Sequence, residues 1–277
     1  MANTTFNYEI VERIKAAVTG LGGIAMGAKI ITIAIQKGGT GKSTTALTLA
    51  AGLTLKGYKV LAVDLDAQGN LSGTARAKKD GATALGVLAG EVKIQDAIQH
   101  TESGDVIAAN KALAGADAFI AETGKEYRLR EALESVKDNY DYIIIDTPPA
   151  LSILTINALT ACHSVIIPAQ ADLYSLESIE ELAETIKPVK KYTNPALRIE
   201  GIVLTRYNPR SVLSKDVFEL TQQLAAKLET KVFTATIREA IAVKEAQINR
   251  QSLYSYAPKA NVTGDYTALI NEILGEE

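Results

Sequence analysis

The chemistry of this chain is concentrated in one short stretch, Gln36-Lys37-Gly38-Gly39-Thr40-Gly41-Lys42-Ser43-Thr44. Glycines at 38, 39 and 41 let backbone N–H groups turn inward around an anion, with Thr40 and Thr44 closing the same loop. Lys42 can reach the β- and γ-phosphates of a bound ATP, and the Ser43 hydroxyl suits Mg²⁺. The generic phosphate-loop pattern asks for glycine five residues before Gly41. Gln36 stands there instead, followed by a second lysine, Lys37.

Two further stretches supply carboxylates. Asp64-Leu65-Asp66-Ala67-Gln68-Gly69-Asn70 follows an aliphatic run. Strand alternation puts Asp64 and Asp66 on one side of the extended chain, where two carboxylates are costly without a cation. A neighbouring Mg²⁺ resolves the cost. Tyr142–Asp146 is an apolar run ending in a carboxylate, which suits Asp146 to hold Mg²⁺ directly or through water. Thr147-Pro148-Pro149 then forces the chain out of the strand.

Positioning these groups requires strands that end at them. Continuously apolar runs predict strands over Ile30–Ile35, Val60–Leu65, Asp105–Ala109, Tyr142–Asp146, Ser164–Ala169, Ile199–Thr205 and Lys231–Thr236. Helical patterns fall between them, at Ser43–Lys56, Glu126–Asn139, Ile153–Ala161, Leu176–Tyr192, Ser211–Leu228 and Glu239–Asn249, with Tyr266–Leu274 closing the chain. The alternation implies an α/β fold, a doubly wound, mostly parallel sheet with helices on both faces, and ligands at the carboxyl ends of its strands. Residues 1–28 read as an N-terminal extension with a possible helix at Tyr8–Val18, and 29–277 as the nucleotide-binding domain.

The pattern K-G-G-x-G-K-[ST]-T at 37–44 resembles the deviant Walker A loop of the ParA/MinD family of ATPases. The D-x-D-x-Q-G-N-like stretch at 64–70 resembles that family's second motif. YDYIIIDTPPALSILTINAL (140–159) and GKEYRLREAL (124–133) look like its ParA/Soj branch. The resemblance implies that Lys37 crosses a homodimer interface, formed on ATP binding, to the partner's nucleotide. It implies that Asp66 positions or activates the attacking water and that Asp64 supports the loop or the metal shell. GIVLTRYNPR (201–210) is similar to the segment flanking the adenine, which implies that Arg206 and Asn208 lie near the base, with Pro209 and Arg238 as weaker candidates. It also implies non-specific DNA binding, a ParB-like centromere-binding partner and a cytoplasmic, nucleoid-associated protein. Arg210 matches a DNA-touching position of the family, whereas the family's second such arginine aligns with Ala242, with Lys244 nearby. The other class of function this resemblance leaves open is a positioning ATPase that acts on protein or membrane without DNA.

Composition narrows the field. Residues 187–260 carry 13 Lys/Arg against 6 Asp/Glu, a net of +7 in a chain whose formal charge is −3. That basic third is a candidate footprint for a polyanion, with Arg210, Lys215, Lys244 and Arg250 among its candidate contacts. One cysteine and two histidines leave no thiolate or imidazole cluster for zinc or iron–sulfur chemistry. The acidic end, Gly264–Glu277, would be repelled by anionic lipid, against a membrane partner.

Overall fold

The aliphatic runs become the strands of a single sheet in the computed structural model, which describes residues 27–120 and 122–276. The expected helix Tyr8–Val18 lies outside the described residues, as does the expected N-terminal extension except for Gly27 and Ala28. The strands are β1 (Lys29–Ile33), β2 (Val60–Asp64), β3 (Ile98–Thr101), β4 (Gly104–Ile107), β5 (Tyr142–Asp146), β6 (Ser164–Gln170) and β7 (Arg198–Thr205), in the spatial order β3-β4-β2-β5-β1-β6-β7. All neighbours run parallel except β3, which folds back antiparallel on β4. Among the described residues, the helices of eight residues or more are α1 (Lys42–Leu55), α2 (Ile153–Ala161), α3 (Leu173–Tyr192), α4 (Val212–Lys227), α5 (Ile241–Ile248) and α6 (Asn261–Leu274).

Strand alternation divides the apolar residues between two layers. Ile31, Ile33, Ala62, Ile144 and Ile166 face α1, α5 and α6. Ile30, Val63, Ile143, Ile145 and Ile167 face α2, α3 and α4. Fully burying each Ile, Leu or Val stabilises by about 1.5–3 kcal/mol before chain entropy is counted. These two cores hold β1 in the middle of the sheet, so the loop leaving its carboxyl end emerges between helices of opposite faces. Among the described residues, no helix is long and apolar enough to cross a membrane.

Three elements depart from the sequence expectation. β3 was not expected: Gln99 and His100 break any apolar run, and the strand exists as the edge of a hairpin closed through Thr101, whose hydroxyl donates to the Gly104 carbonyl at 2.7 Å. Conversely, Lys231–Thr236 is no strand. It touches β7 only at isolated bridges, Ile202 to Val232 and Thr205 to Ile237. The segment carries more residues between those bridges than β7 does. The N–H groups of Thr234 and Ala235 are drawn off the ladder to the Glu272 carboxylate at 2.9 and 3.2 Å. The expected Glu126–Asn139 helix is also broken, into Lys125–Tyr127, Arg128–Glu134 and Lys137–Asn139.

Candidate functional site

β1, β2 and β5 end side by side. Ile33 pairs in register with Asp146, and so does Asp64. The sheet therefore delivers the Gln36–Thr44 loop and both strand-end carboxylates to one place. Gly39 and Gly41 adopt φ of 77° and 90°, a left-handed geometry that L-residues with a Cβ avoid. Gly41 also starts α1, so the loop feeds directly into a helix N-terminus. Distant side chains fasten the loop. Gln170 Nε2 donates to the Gly39 carbonyl at 2.7 Å, and the Thr205 hydroxyl donates to the Thr40 carbonyl at 2.9 Å. Gln36, standing where glycine was expected, donates from Nε2 to the Thr185 hydroxyl of α3 at 2.7 Å.

The loop borders a cleft of about 550 Å³ lined by Gly38, Gly39, Gly41, Lys42, Ser43, Thr44 and, opposite, Asp66. Lys42 is only 6 % exposed, and its Nζ donates to the Lys37 carbonyl at 2.8 Å. Burial lowers its pKa, against the attraction of Asp146 and Asp66. Asp64 is saturated. It accepts from the Ser72 amide and hydroxyl at 2.8 and 2.5 Å and from the Asp66 amide at 3.1 Å. Burial still pushes its carboxyl up to about 6. Asp66 accepts from the Gln68 amide at 3.0 Å, which tightens the turn after β2.

Asp146 is the unresolved group. It is fully buried, and neither carboxylate oxygen has a hydrogen-bond partner. Burial and the neighbouring Asp64 drive its pKa well above the ordinary carboxylate value. Ser43, which faces it without meeting hydrogen-bond geometry, and Lys42 pull the other way. An orphaned buried carboxylate next to a hydroxyl is a hard-oxygen donor set that Mg²⁺ satisfies. Among the described residues no cluster of three or more His, Cys, Asp or Glu side chains forms a metal cage. A cation here would therefore need Ser43 and ligand oxygens as well as Asp146.

Lys37 takes another path. Its Nζ bonds both oxygens of Asp172, at 2.7 and 2.8 Å, and the Ser175 hydroxyl at 3.1 Å. Asp172 also caps α3 by accepting from the Ser175 amide at 2.8 Å. Burial opposes ionisation of Asp172, but Lys37 and the capped amide outweigh it and hold its carboxyl below the usual value. Lys37 is thus within the loop by sequence and outside the cleft by side chain.

On the β7 side, Arg206 lines the cleft with a left-handed backbone of φ 51°. It also lines an adjoining slot of about 150 Å³, together with Ile237, Arg238, Ala240, Val243 and Gln247. Gln247 was not expected from sequence. It lines both cavities, and its Nε2 donates to the Thr44 hydroxyl at 3.0 Å. No local pattern marks it, because the fold alone brings α5 over the start of α1. Asn208 borders neither cavity and accepts from the Arg210 amide at 3.0 Å. Arg238 forms a bidentate pair with Asp265 at 2.7 and 2.8 Å. Of the basic candidates, Arg210 and Lys215 stand exposed at and just after the β7–α4 turn. Lys244 lies 3.9 Å from Glu239, and Arg250 lines the phosphate-loop cleft itself.

Known proteins resemble the chain over most of its length. A family model described as an AAA domain matches residues 28–199. The chain is 41 % identical over 250 residues to the sporulation initiation inhibitor protein Soj of Bacillus subtilis, covering 88 % of this chain and 98 % of that protein. It is 38 % identical over 257 residues to the chromosome partitioning protein ParA of Caulobacter vibrioides, covering 90 % and 95 %. Among solved structures, cobyrinic acid a,c-diamide synthase from Mycobacterium smegmatis, with bound ADP and magnesium, superposes with a TM-score of 0.77 at 32 % identity over 89 % of this chain and 94 % of that one.

Proposed function

Because the chain belongs to the ParA/Soj family of partition ATPases, we propose that it is a Mg²⁺-dependent ATPase whose ATP-bound homodimer holds DNA non-specifically and whose hydrolysis a ParB-like partner stimulates. The phosphates seat on the backbone of Gly38–Thr44, with Lys42 at the β- and γ-positions. Ser43 and Asp146 would hold Mg²⁺, with Asp66 close by; when bound, the cation neutralises charge on the terminal phosphates. Asp66 orients the attacking water, and Asp64, itself fixed by Ser72, holds the Asp66 turn in place by accepting the Asp66 amide. The base enters the slot beside Arg206.

The observation that carries this reading is Lys37. Its ammonium is held by Asp172 and does not face the cleft of its own chain. A cation so placed adds nothing to a lone subunit's phosphate site and is available to a second subunit, where it acts as an arginine finger does. Full activity then requires a dimer, as expected of a switch with a long-lived ATP state.

Co-sedimentation with random-sequence duplex DNA at low salt tests the reading. Retention with ATP and Mg²⁺ but not with ADP is expected. Equal retention, or none, in both nucleotide states would refute it.

A further inference from the structure

The phosphate-loop cleft and the adjoining slot of about 150 Å³ meet at a boundary of four shared residues, Gly41, Thr44, Arg206 and Gln247. Phosphates seated on Gly38–Thr44 lie to one side of it. A base among Ile237, Arg238, Ala240 and Val243 lies to the other. The sugar of a nucleotide joins its phosphates to its base, so it must cross this boundary. Neither the loop backbone nor the strand-end carboxylates supply it with a partner.

The four residues differ in what they can offer a sugar hydroxyl, which donates one hydrogen bond and accepts others. Gly41 has no side chain, and its carbonyl accepts from the Thr45 amide at 2.8 Å. The Arg206 guanidinium only donates. The Thr44 hydroxyl already accepts from Gln247 Nε2 at 3.0 Å. Gln247 makes that one side-chain hydrogen bond among the described residues, which leaves its Oε1 and its second N–H for a ligand. An acceptor and a donor side by side on one planar amide match the vicinal hydroxyls of ribose, one donating and the other accepting.

The fold holds this amide in place from two sides. Val243 and Gln247 stand one turn apart on α5, so the face that walls the slot also carries Gln247 to the boundary. The bond to Thr44, in the first turn of α1, then fixes which way the amide points. A group oriented before the ligand arrives loses less freedom on binding. As a structural tie the same bond adds little. Gln247 is exposed, and Ala246 already seats α5 in the apolar core that holds Leu47 of α1.

We infer that Gln247 is the specificity-determining residue for the sugar: it pairs with the ribose hydroxyls and favours a ribonucleotide over a nucleotide that lacks them, and Thr44 positions its amide. This assignment rests on the nucleotide seat proposed above and supplies the part of the ligand that seat leaves without a partner. The contact is to the sugar alone, so it is the same whether two or three phosphates follow. A sugar without the hydroxyls leaves the Gln247 carbonyl and N–H facing the ligand without a partner, which is the source of the discrimination.

Isothermal titration of wild type, Gln247→Leu and Gln247→Glu with ADP and with 2′,3′-dideoxy-ADP, each with Mg²⁺, tests the assignment. ADP carries the same sugar as ATP and is not consumed during the titration. One neutral hydrogen bond shifts an equilibrium by about two- to tenfold, and two are at stake, so wild type should bind ADP about tenfold more tightly than the dideoxy analogue. Gln247→Leu should bind both ligands as weakly as wild type binds the analogue, which brings the ratio to about one. Gln247→Glu keeps an acceptor at the same place. Its ratio should stay above about threefold while repulsion from the phosphates weakens both ligands. A Gln247 that only ties α5 to α1 would weaken ADP and the analogue alike on substitution by Leu. A wild-type ratio preserved in Gln247→Leu would therefore overturn the inference, as would a ratio near one in wild type or in Gln247→Glu. Each of those results leaves the nucleotide seat standing. Failure of wild type to bind ADP or ATP at all would overturn the seat and the inference together.

Discussion

The centre of the sheet and its β7 side treat their charged residues differently. At the centre, Lys42, Asp64, Asp66 and Asp146 are all buried, and the ends of three adjacent parallel strands or the loop between β1 and α1 fix each one. On the β7 side the candidates sit on turns and helix surfaces. Two are spent on partners, as Arg238 is on Asp265, far away in the chain, and Lys244 on Glu239 beside it. The contrast is one of determinacy. Backbone geometry leaves the central groups a single place to be, whereas a surface cation's role depends on which acid the fold brings to it.

If the contrast is right, substitutions at the centre should be severe and those on the β7 side graded. The largest effect is expected for Lys42→Ala, which should lower ATP affinity at least about a hundredfold by removing a charge-assisted contact to two phosphates. Isothermal titration measures it, and an unchanged affinity would remove Lys42 from the phosphate site. Next, Asp146→Asn should abolish Mg²⁺-dependent hydrolysis while stabilising the nucleotide-free chain by about 1–3 kcal/mol, since it neutralises an unpartnered buried carboxylate. Denaturant unfolding and a phosphate-release assay read the two halves. A destabilised variant would mean that the buried charge is satisfied in a way the hydrogen bonds do not reveal.

A smaller effect concerns pH. Burial raises the Asp64 carboxyl to about 6 in the folded chain, from an ordinary value of 3.8. Its native state therefore binds the proton more tightly than the unfolded state. That contribution to stability is complete below the unfolded value and is lost as pH rises through about 6. Without nucleotide, the stability of Asp64→Asn relative to wild type should accordingly increase between pH 4 and 7, by on the order of 2 kcal/mol. A pH-independent gap would show that Asp64 is ionised throughout. The smallest effect is expected on the β7 side. Asn208→Ala should change ATP affinity less than about twofold, because its carbonyl oxygen serves the Arg210 amide and it borders neither cavity. A tenfold loss would bring Asn208 back to the base and weaken the contrast.

The same contrast explains what the sequence made legible. The aliphatic runs Ile30–Ile35, Val60–Leu65 and Tyr142–Asp146 announced both the strands and the acid groups, because strands buried on both faces are built mostly of apolar residues. The glycine pattern of the loop announced its fold for the same steric reason. β3 was hidden because an edge strand needs no apolar run, and Lys231–Thr236 was misread because Glu272, some forty residues on, takes the amides its ladder would use. Gln247 and Asp172 make long-range contacts with no local signature. The oddity at Gln36 and Lys37 could be seen, but not its structural basis: one side chain ties the loop to Thr185 and the other is parked on Asp172.

That parked lysine carries the central claim, that this phosphate site works across two subunits. Analytical ultracentrifugation of wild type and Lys37→Ala with ATP and Mg²⁺, paired with ATP titration of each, tests it most directly. Wild type should sediment as a dimer, and Lys37→Ala should bind ATP within about threefold of wild type yet remain monomeric. A Lys37→Ala protein that dimerises as wild type does and hydrolyses ATP at the wild-type rate would contradict it.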